Sequence, residues 1–252
     1  MATATGIPEA IPDTLMHPRE DQRDGVGEYE PLLGRRGDAS QVEGQALYRN
    51  IFLGTAVIAQ AGIILLVASV WANVFLHRLI LFSAHPLLNS AGLLAITQSI
   101  LVLQPTHTAQ QKRQGTITHF TINNLSIDAL VAGLVIIEYN KISQGFSHFK
   151  SAHAILGLIT YVLLAVQAFV GATAYFVPQL YGSVDKGKSL YKWHRATGYL
   201  ILVMMLATMC AATQTDYNQT TLGIKLWAVL VSSILILIGV LPRIKKQKLD
   251  FS

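Results

Sequence analysis

Apolar residues in this chain do not alternate with polar ones; they run in long blocks, and the blocks recur. Six stretches, 51–75, 83–103, 117–139, 151–177, 196–212 and 222–241, are almost continuously apolar. Each approaches or exceeds the ~20 residues that cross ~30 Å of hydrocarbon at ~1.5 Å per residue. The pattern predicts an all-α integral membrane protein with six transmembrane helices. The third stretch is interrupted by Asn123, Asn124, Asp128 and Glu138, and polar groups at that depth face the interior of a bundle. The connections are short, so neighbouring helices run antiparallel. Residues 1–46 are polar, hold four of the eight prolines, and show no helical or strand period, which predicts a disordered tail. The membrane domain then spans 47–245, and 246–252 form a short basic tail.

Composition sharpens this picture. Apolar residues make up 52% of the chain and charged residues 13%, against about 25% charged in a soluble domain. A net charge of +5 does not imply nucleic acid here, because the basic residues lie mostly between and beyond the apolar blocks. In a membrane protein that distribution is topology information. One face collects the N-terminal arginines, Lys112, Arg113, the 186–195 cluster and the C-terminal cations, 15 of the 19 Lys and Arg; Arg78, Lys141, Lys150 and Lys225 fall on the other. The bias places both termini in the cytosol. No apolar core of a signal peptide stands in residues 1–46, so the first helix acts as the insertion signal. The single cysteine, Cys210, excludes an intrachain disulfide and any cysteine-based metal or iron–sulfur site. Asn218-Gln219-Thr220 is a glycosylation sequon in a loop that this topology makes non-cytosolic, close to the membrane. In the tail, Glu28-Tyr29-Glu30-Pro31-Leu32-Leu33 has the form of an acidic dileucine sorting signal, pointing to a vacuolar, lysosomal or endosomal membrane.

The candidate chemistry lies in four of the eight histidines. His85, His119, His153 and His194 each stand near the start of a different apolar stretch, the second to the fifth. With antiparallel helices, starts two and four meet at one membrane face and starts three and five at the other. That yields two facing pairs, His85 with His153 and His119 with His194. Zinc would want three or four ligands converging on one point; a pair at each face suits the two axial positions of a haem iron, and two such ligands leave no position open for oxygen. The sequence therefore points to two b haems in a four-helix haem-binding bundle of helices two to five, built for electron transfer. The first and sixth helices, without candidate ligands, pack outside it. Four places after each histidine, on the same helix face, come Asn89, Asn123, Gly157 and Gly198. The glycines leave room for a flat macrocycle, and the asparagines stand within reach of its edge or a propionate. The bland alternative, four unrelated interfacial histidines, does not account for that regularity.

Several stretches together resemble the cytochrome b561 family, in its short single-domain six-helix form. They are Leu81-Phe82-Ser83-Ala84-His85-Pro86-Leu87-Leu88, His119 opening the third helix, His148-Phe149-Lys150-Ser151-Ala152-His153-Ala154-Ile155-Leu156-Gly157 with Gln167 and Gly171 downstream, and Tyr191-Lys192-Trp193-His194-Arg195-Ala196-Thr197-Gly198. The resemblance covers roughly residues 50–245. It implies a transmembrane ascorbate-dependent reductase that passes single electrons from cytosolic ascorbate to monodehydroascorbate or a ferric chelate across the bilayer. His119 and His194 would hold the cytosolic haem, and His85 and His153 the non-cytosolic one. Ascorbate is an anion, so its site should be basic: Lys112 and Arg113 precede His119, and Lys192 and Arg195 flank His194. Loop cations obeying the positive-inside rule are the simpler account of these four. On the other face His148, with Lys150, is positioned for the electron-accepting substrate. The chain lacks the family's loop motifs around the substrate sites and the tryptophan that vesicle members carry beside the ligand at His153. No soluble domain is fused to this core, and a homodimer is left open. Two other classes compete: a cofactor-free transporter or scaffold, for which Asp128 is the one acid well inside an apolar block, and a di-haem protein with a quinol or flavoprotein donor.

Overall fold

The structure is a computed structural model and describes residues 39–245. Six helices dominate: α1 Ala56–Phe75, α2 Ala84–Leu103, α3 Ala109–Gln144, α4 Ala152–Phe176, α5 Val184–Ala212 and α6 Leu226–Val240. All six are long and apolar enough to cross a membrane, the last together with the short turn that ends at Arg243. The expectations for residues 1–38, the dileucine-like stretch included, and for 246–252 lie outside the described residues. From Ala39 onward the chain packs against the bundle: Gln41 is buried, its N–H donates to Pro105 O at 3.0 Å, and its Oε1 accepts from Asn50 Nδ2 at 2.9 Å.

Two helices begin well before their apolar blocks. The block at 117–139 sits inside a helix of 36 residues, and the block at 196–212 inside one of 29. The added turns are polar, and the caps explain where they start. Thr108 Oγ1 accepts from Gln111 N at 3.2 Å while Gln111 Oε1 accepts from Thr108 N at 3.3 Å, a reciprocal capping box. Ser183 Oγ accepts from Lys186 N at 3.2 Å at the head of α5. Hydropathy sees only the lipid-facing part of a helix, whereas Gln, Lys and Arg are good helix formers and carry it further. Gly145, with φ +67, stops α3 in the left-handed conformation that ends many helices.

Antiparallel neighbours form three close pairs: α2 with α3, α4 with α5, and α1 with α6. The α1–α6 pair lies against α2 and α5, as expected for helices outside the histidine-bearing four. The two histidine hairpins touch each other more sparsely, α2 meeting α5 and side chains of α4 reaching α2 and α3. Correspondingly α1 and α2 each bury 44% of their most apolar window, against 17% for α3 and 6% for α4. In the α5–α6 connection, Asn218 is buried, its Nδ2 donating to Thr213 O at 2.8 Å and Ile224 O at 3.0 Å and its Oδ1 accepting from Ile224 N at 3.1 Å. The sequon asparagine is spent inside its own loop.

Candidate functional site

His85 and His153 occupy the first turns of α2 and α4. His119 and His194 lie ten positions inside α3 and α5, because those helices start early. The pairing survives through a shared spacing. Fourteen residues after the four histidines stand Ser99, Gly133, Gln167 and Thr208. Fourteen residues are close to four turns, so each returns near its histidine's face about 21 Å along the axis. In an antiparallel hairpin each histidine then lies level with its partner's plus-fourteen residue. The hydrogen bonds follow: His85 Nδ1 to Gly133 O at 2.8 Å, His119 Nδ1 to Ser99 O at 3.2 Å, and His153 Nδ1 to Thr208 O at 3.0 Å. A carbonyl can only accept, so Nδ1 carries the proton in all three and Nε2 keeps its lone pair.

His194 departs from this pattern. Its Nδ1 is buried without a partner. Gln167, the level residue on α4, bonds instead through Nε2 to the carbonyl of His194 and accepts the Thr197 hydroxyl on Oε1 at 2.7 Å. The imidazole rests against Gly171, where an added Cβ would stand 2.5 Å from Cε1. Gly157 and Gly198 play a different part from the one expected of them. An added Cβ at Gly157 would meet Thr208 Cγ2 at an ordinary 3.7 Å, while at Gly198 it would stand 3.0 Å from Gln167 Nε2, so Gly198 makes room for the Gln167 side chain of α4.

The first predicted pair is in ring contact: the His85 and His153 centroids are 6.2 Å apart, with planes at 86°. Two imidazole nitrogens at ~2 Å on opposite sides of a metal put the ring centroids about 6 Å apart. Phe82 stacks on the outer face of His85, with centroids 5.6 Å apart and planes at 13°. In the second pair His119 is an electrostatic neighbour of His194. Among the described residues no three His, Cys, Asp or Glu side chains converge on one point. His85 and His153 thus approach as a pair with ordered tautomers, which would suit two ligands of one haem and does not fit a protein-only metal cage.

The two asparagines are engaged within the protein. Asn89 donates to His85 O at 2.9 Å and accepts the Tyr161 hydroxyl at 2.7 Å, tying α2 to α4. Asn123 donates to His119 Nε2 at 2.9 Å and accepts from Ser99 Oγ at 2.7 Å. Asp128 lies on an exposed face of α3, away from such networks.

The candidate substrate residues divide by face. Lys112 is half-buried and Arg113 exposed, near the start of α3 and about 10 Å of helix before His119. Lys192 and Arg195 are half-buried beside His194 and engaged in interactions of their own; Arg195 is an electrostatic neighbour of that ring. On the other face Lys150 is exposed, and His148 pairs through Nδ1 with Glu138 Oε2 at 2.9 Å. Phe149, the one non-glycine residue at positive φ (+54) among the described residues, turns the chain between them. Lys141, on the last turn of α3, is an electrostatic neighbour of both His85 and His153. Glu138 was legible only as an interruption of an apolar block; its role as partner of His148 had no signal in the spacing.

Comparison with known proteins agrees with this geometry. A rice protein (Oryza sativa subsp. japonica) described as a probable ascorbate-specific transmembrane electron transporter is 22% identical over 132 residues, covering 52% of this chain and 56% of that relative. The chain thus spans little more than half the length of the curated relative it matches. The family model for eukaryotic cytochrome b561 matches residues 84–219, more than half of the chain and all four histidines. With six membrane-length helices and paired histidines on four of them, the chain belongs to the eukaryotic cytochrome b561 family.

Proposed function

We propose that this protein is a transmembrane oxidoreductase that carries single electrons across its bilayer, from cytosolic ascorbate to monodehydroascorbate or ferric iron on the other side. Two b-type haems would be held per chain, one by His85 and His153 and one by His119 and His194. The observation that carries the reading is the His85–His153 pair, with centroids 6.2 Å apart and Nδ1 of each ring bonded to a carbonyl. A haem held by each histidine pair would supply reversible one-electron chemistry. The chain's own work is positional: the Gly133, Ser99 and Thr208 carbonyls fix tautomer and ring orientation, and the apolar helices exclude water.

Lys112, Arg113, Lys192 and Arg195 would supply the positive potential that gathers an anionic donor at one face. His148, oriented by Glu138, and Lys150 would meet the acceptor at the other. The relative's description as an ascorbate-specific transporter and the cation bias toward the face of both termini support this direction.

The test is a dithionite-reduced minus oxidised spectrum of purified full-length protein with a pyridine haemochrome count. Two b haems per chain are expected, with partial reduction by ascorbate. Folded protein, judged by helical circular dichroism, that shows no haem absorbance would end the proposal.

A further inference from the structure

One acid of this chain lies where hydrocarbon gives it no partner. Asp128 stands at the centre of the apolar block 117–139, eleven residues from each end, or about 16 Å of helix. A carboxyl on a single methylene group reaches neither interface from that depth. It also points away from the bundle. His119 and Ser126 mark the inner face of α3, bonded across to Ser99 O at 3.2 Å and Gly92 O at 2.8 Å on α2. Asp128 follows them by nine and two residues, which are two and a half turns and just over half a turn. Its side chain is exposed and makes no hydrogen bond or ion pair with any described residue. Ionisable groups inside a bilayer almost always face a bundle interior or pair with another polar group.

Asp128 belongs to a ridge with its own donor. Asn124, Asp128 and Ala132 follow one another at four-residue steps, with Thr121, Leu125 and Val135 beside them, and all six are exposed. Asn124 Nδ2 donates to Phe120 O at 2.7 Å, which uses one of its two N–H bonds and leaves the other. The exposed residues of α1, α4 and α6 are, by contrast, all apolar, and lipid tails satisfy such faces. Two copies in one membrane share an orientation. A two-fold axis along the bilayer normal then sets α3 parallel to α3, with equal residues at equal depth. Donor and acceptor meet reciprocally, because each Asn124 comes within a turn of the partner's Asp128. Ala132, one turn further on, lets the two helices approach closely. Small residues and interhelical hydrogen bonds are what hold helices together in lipid.

We propose that the outer face of α3 is the contact surface for a second copy of this chain, with Asn124 and Asp128 bonded reciprocally across the two-fold axis. The face of α3 that carries His119 lies opposite, so the contact is independent of the proposed haem sites.

The experiment uses the full chain and two readouts. Sedimentation equilibrium in density-matched detergent should show a monomer–dimer equilibrium. Asp128→Leu and Asn124→Leu, each of which puts an apolar side chain toward lipid, should raise the dissociation constant at least tenfold while the haem count stays that of wild type. Should Asp128→Leu fail to fold, Asn124→Leu decides alone. In phosphatidylcholine vesicles oxidised with copper phenanthroline, Leu125→Cys in a Cys210→Ser background should form an intermolecular disulfide. Ile159→Cys, on the exposed face of α4, should not. Wild-type protein that stays monomeric overturns the proposal and leaves the ridge to a different membrane protein. Unweakened dimers of Asp128→Leu, or crosslinking through Ile159→Cys in place of Leu125→Cys, overturn it as well.

Discussion

An imidazole serves as an axial ligand when one nitrogen keeps its lone pair and the ring stays where the metal needs it. Three of the four histidines obtain their tautomer and orientation from a single backbone carbonyl on the neighbouring helix, and at His119 the remaining nitrogen accepts from Asn123 Nδ2 at 2.9 Å. The fourth, His194, relies on packing: its ring is pinned against Gly171, while its Nδ1 is buried and unbonded. Gly171→Ala is therefore a selective probe. The new Cβ would stand 2.5 Å from Cε1 and 3.2 Å from each ring nitrogen, so the imidazole must shift. Overpacking of this kind costs ~1–3 kcal/mol, and here it falls on one site. Electron paramagnetic resonance should show one of two low-spin haem signals lost or converted to high spin, with the other unchanged. Two intact signals in the variant would show that Gly171 does not hold the His194 ring. The approach of His85 to His153 was legible because both residue type and position carry the signal. Their carbonyl partners were not, since every residue has a carbonyl. The use of Asn89 and Asn123 within the protein also escaped notice, because a short amide on the right face looks the same whether it meets a cofactor or the next helix.

Helices α1 and α6 carry no histidine, and small residues let them approach very closely. A Cβ at Gly239 would collide with Ala59, its backbone nitrogen included, and one at Gly62 would stand 2.7 Å from Ser232 O. Backbone cannot yield as a flexible side chain can, so Gly239→Ala should cost ~1–3 kcal/mol or more. It should lower the melting temperature in detergent while the haem count, which the proposed ligands on α2 to α5 would set, stays the same. A variant that loses haem in step with its stability would show that the outer pair is part of the haem bundle. At this scale the sequence placed six helices in the right order, and it misplaced ends. The blocks at 117–139 and 196–212 omit the polar first turns of α3 and α5, where capping rather than hydropathy sets the boundary. The same polar turns carry Lys112, Arg113 and Lys192, so the longer helices put these candidate donor-site cations on rigid elements.

The molecule as a whole repeats one device twice, since each antiparallel hairpin pairs a histidine with a residue fourteen positions past its partner's histidine. That spacing separates the two histidine levels by about 21 Å, within a hydrocarbon core of ~30 Å. On the proposed route neither level spans the bilayer, so neither would suffice alone. His85→Ala leaves the His119–His194 level and its flanking cations untouched, with a deletion at a half-buried position in the first turn of α2. The variant should retain one haem per chain, and ascorbate supplied on the side of Lys112 and Arg195 should still reduce it. In proteoliposomes, reduction of a membrane-impermeant ferric chelate on the opposite side should fall at least tenfold. The reciprocal variant, His119→Ala, should lose reduction by ascorbate from that first side as well. Undiminished transmembrane rates in His85→Ala would mean that electrons do not need the second level, and the two-level architecture would then require another explanation.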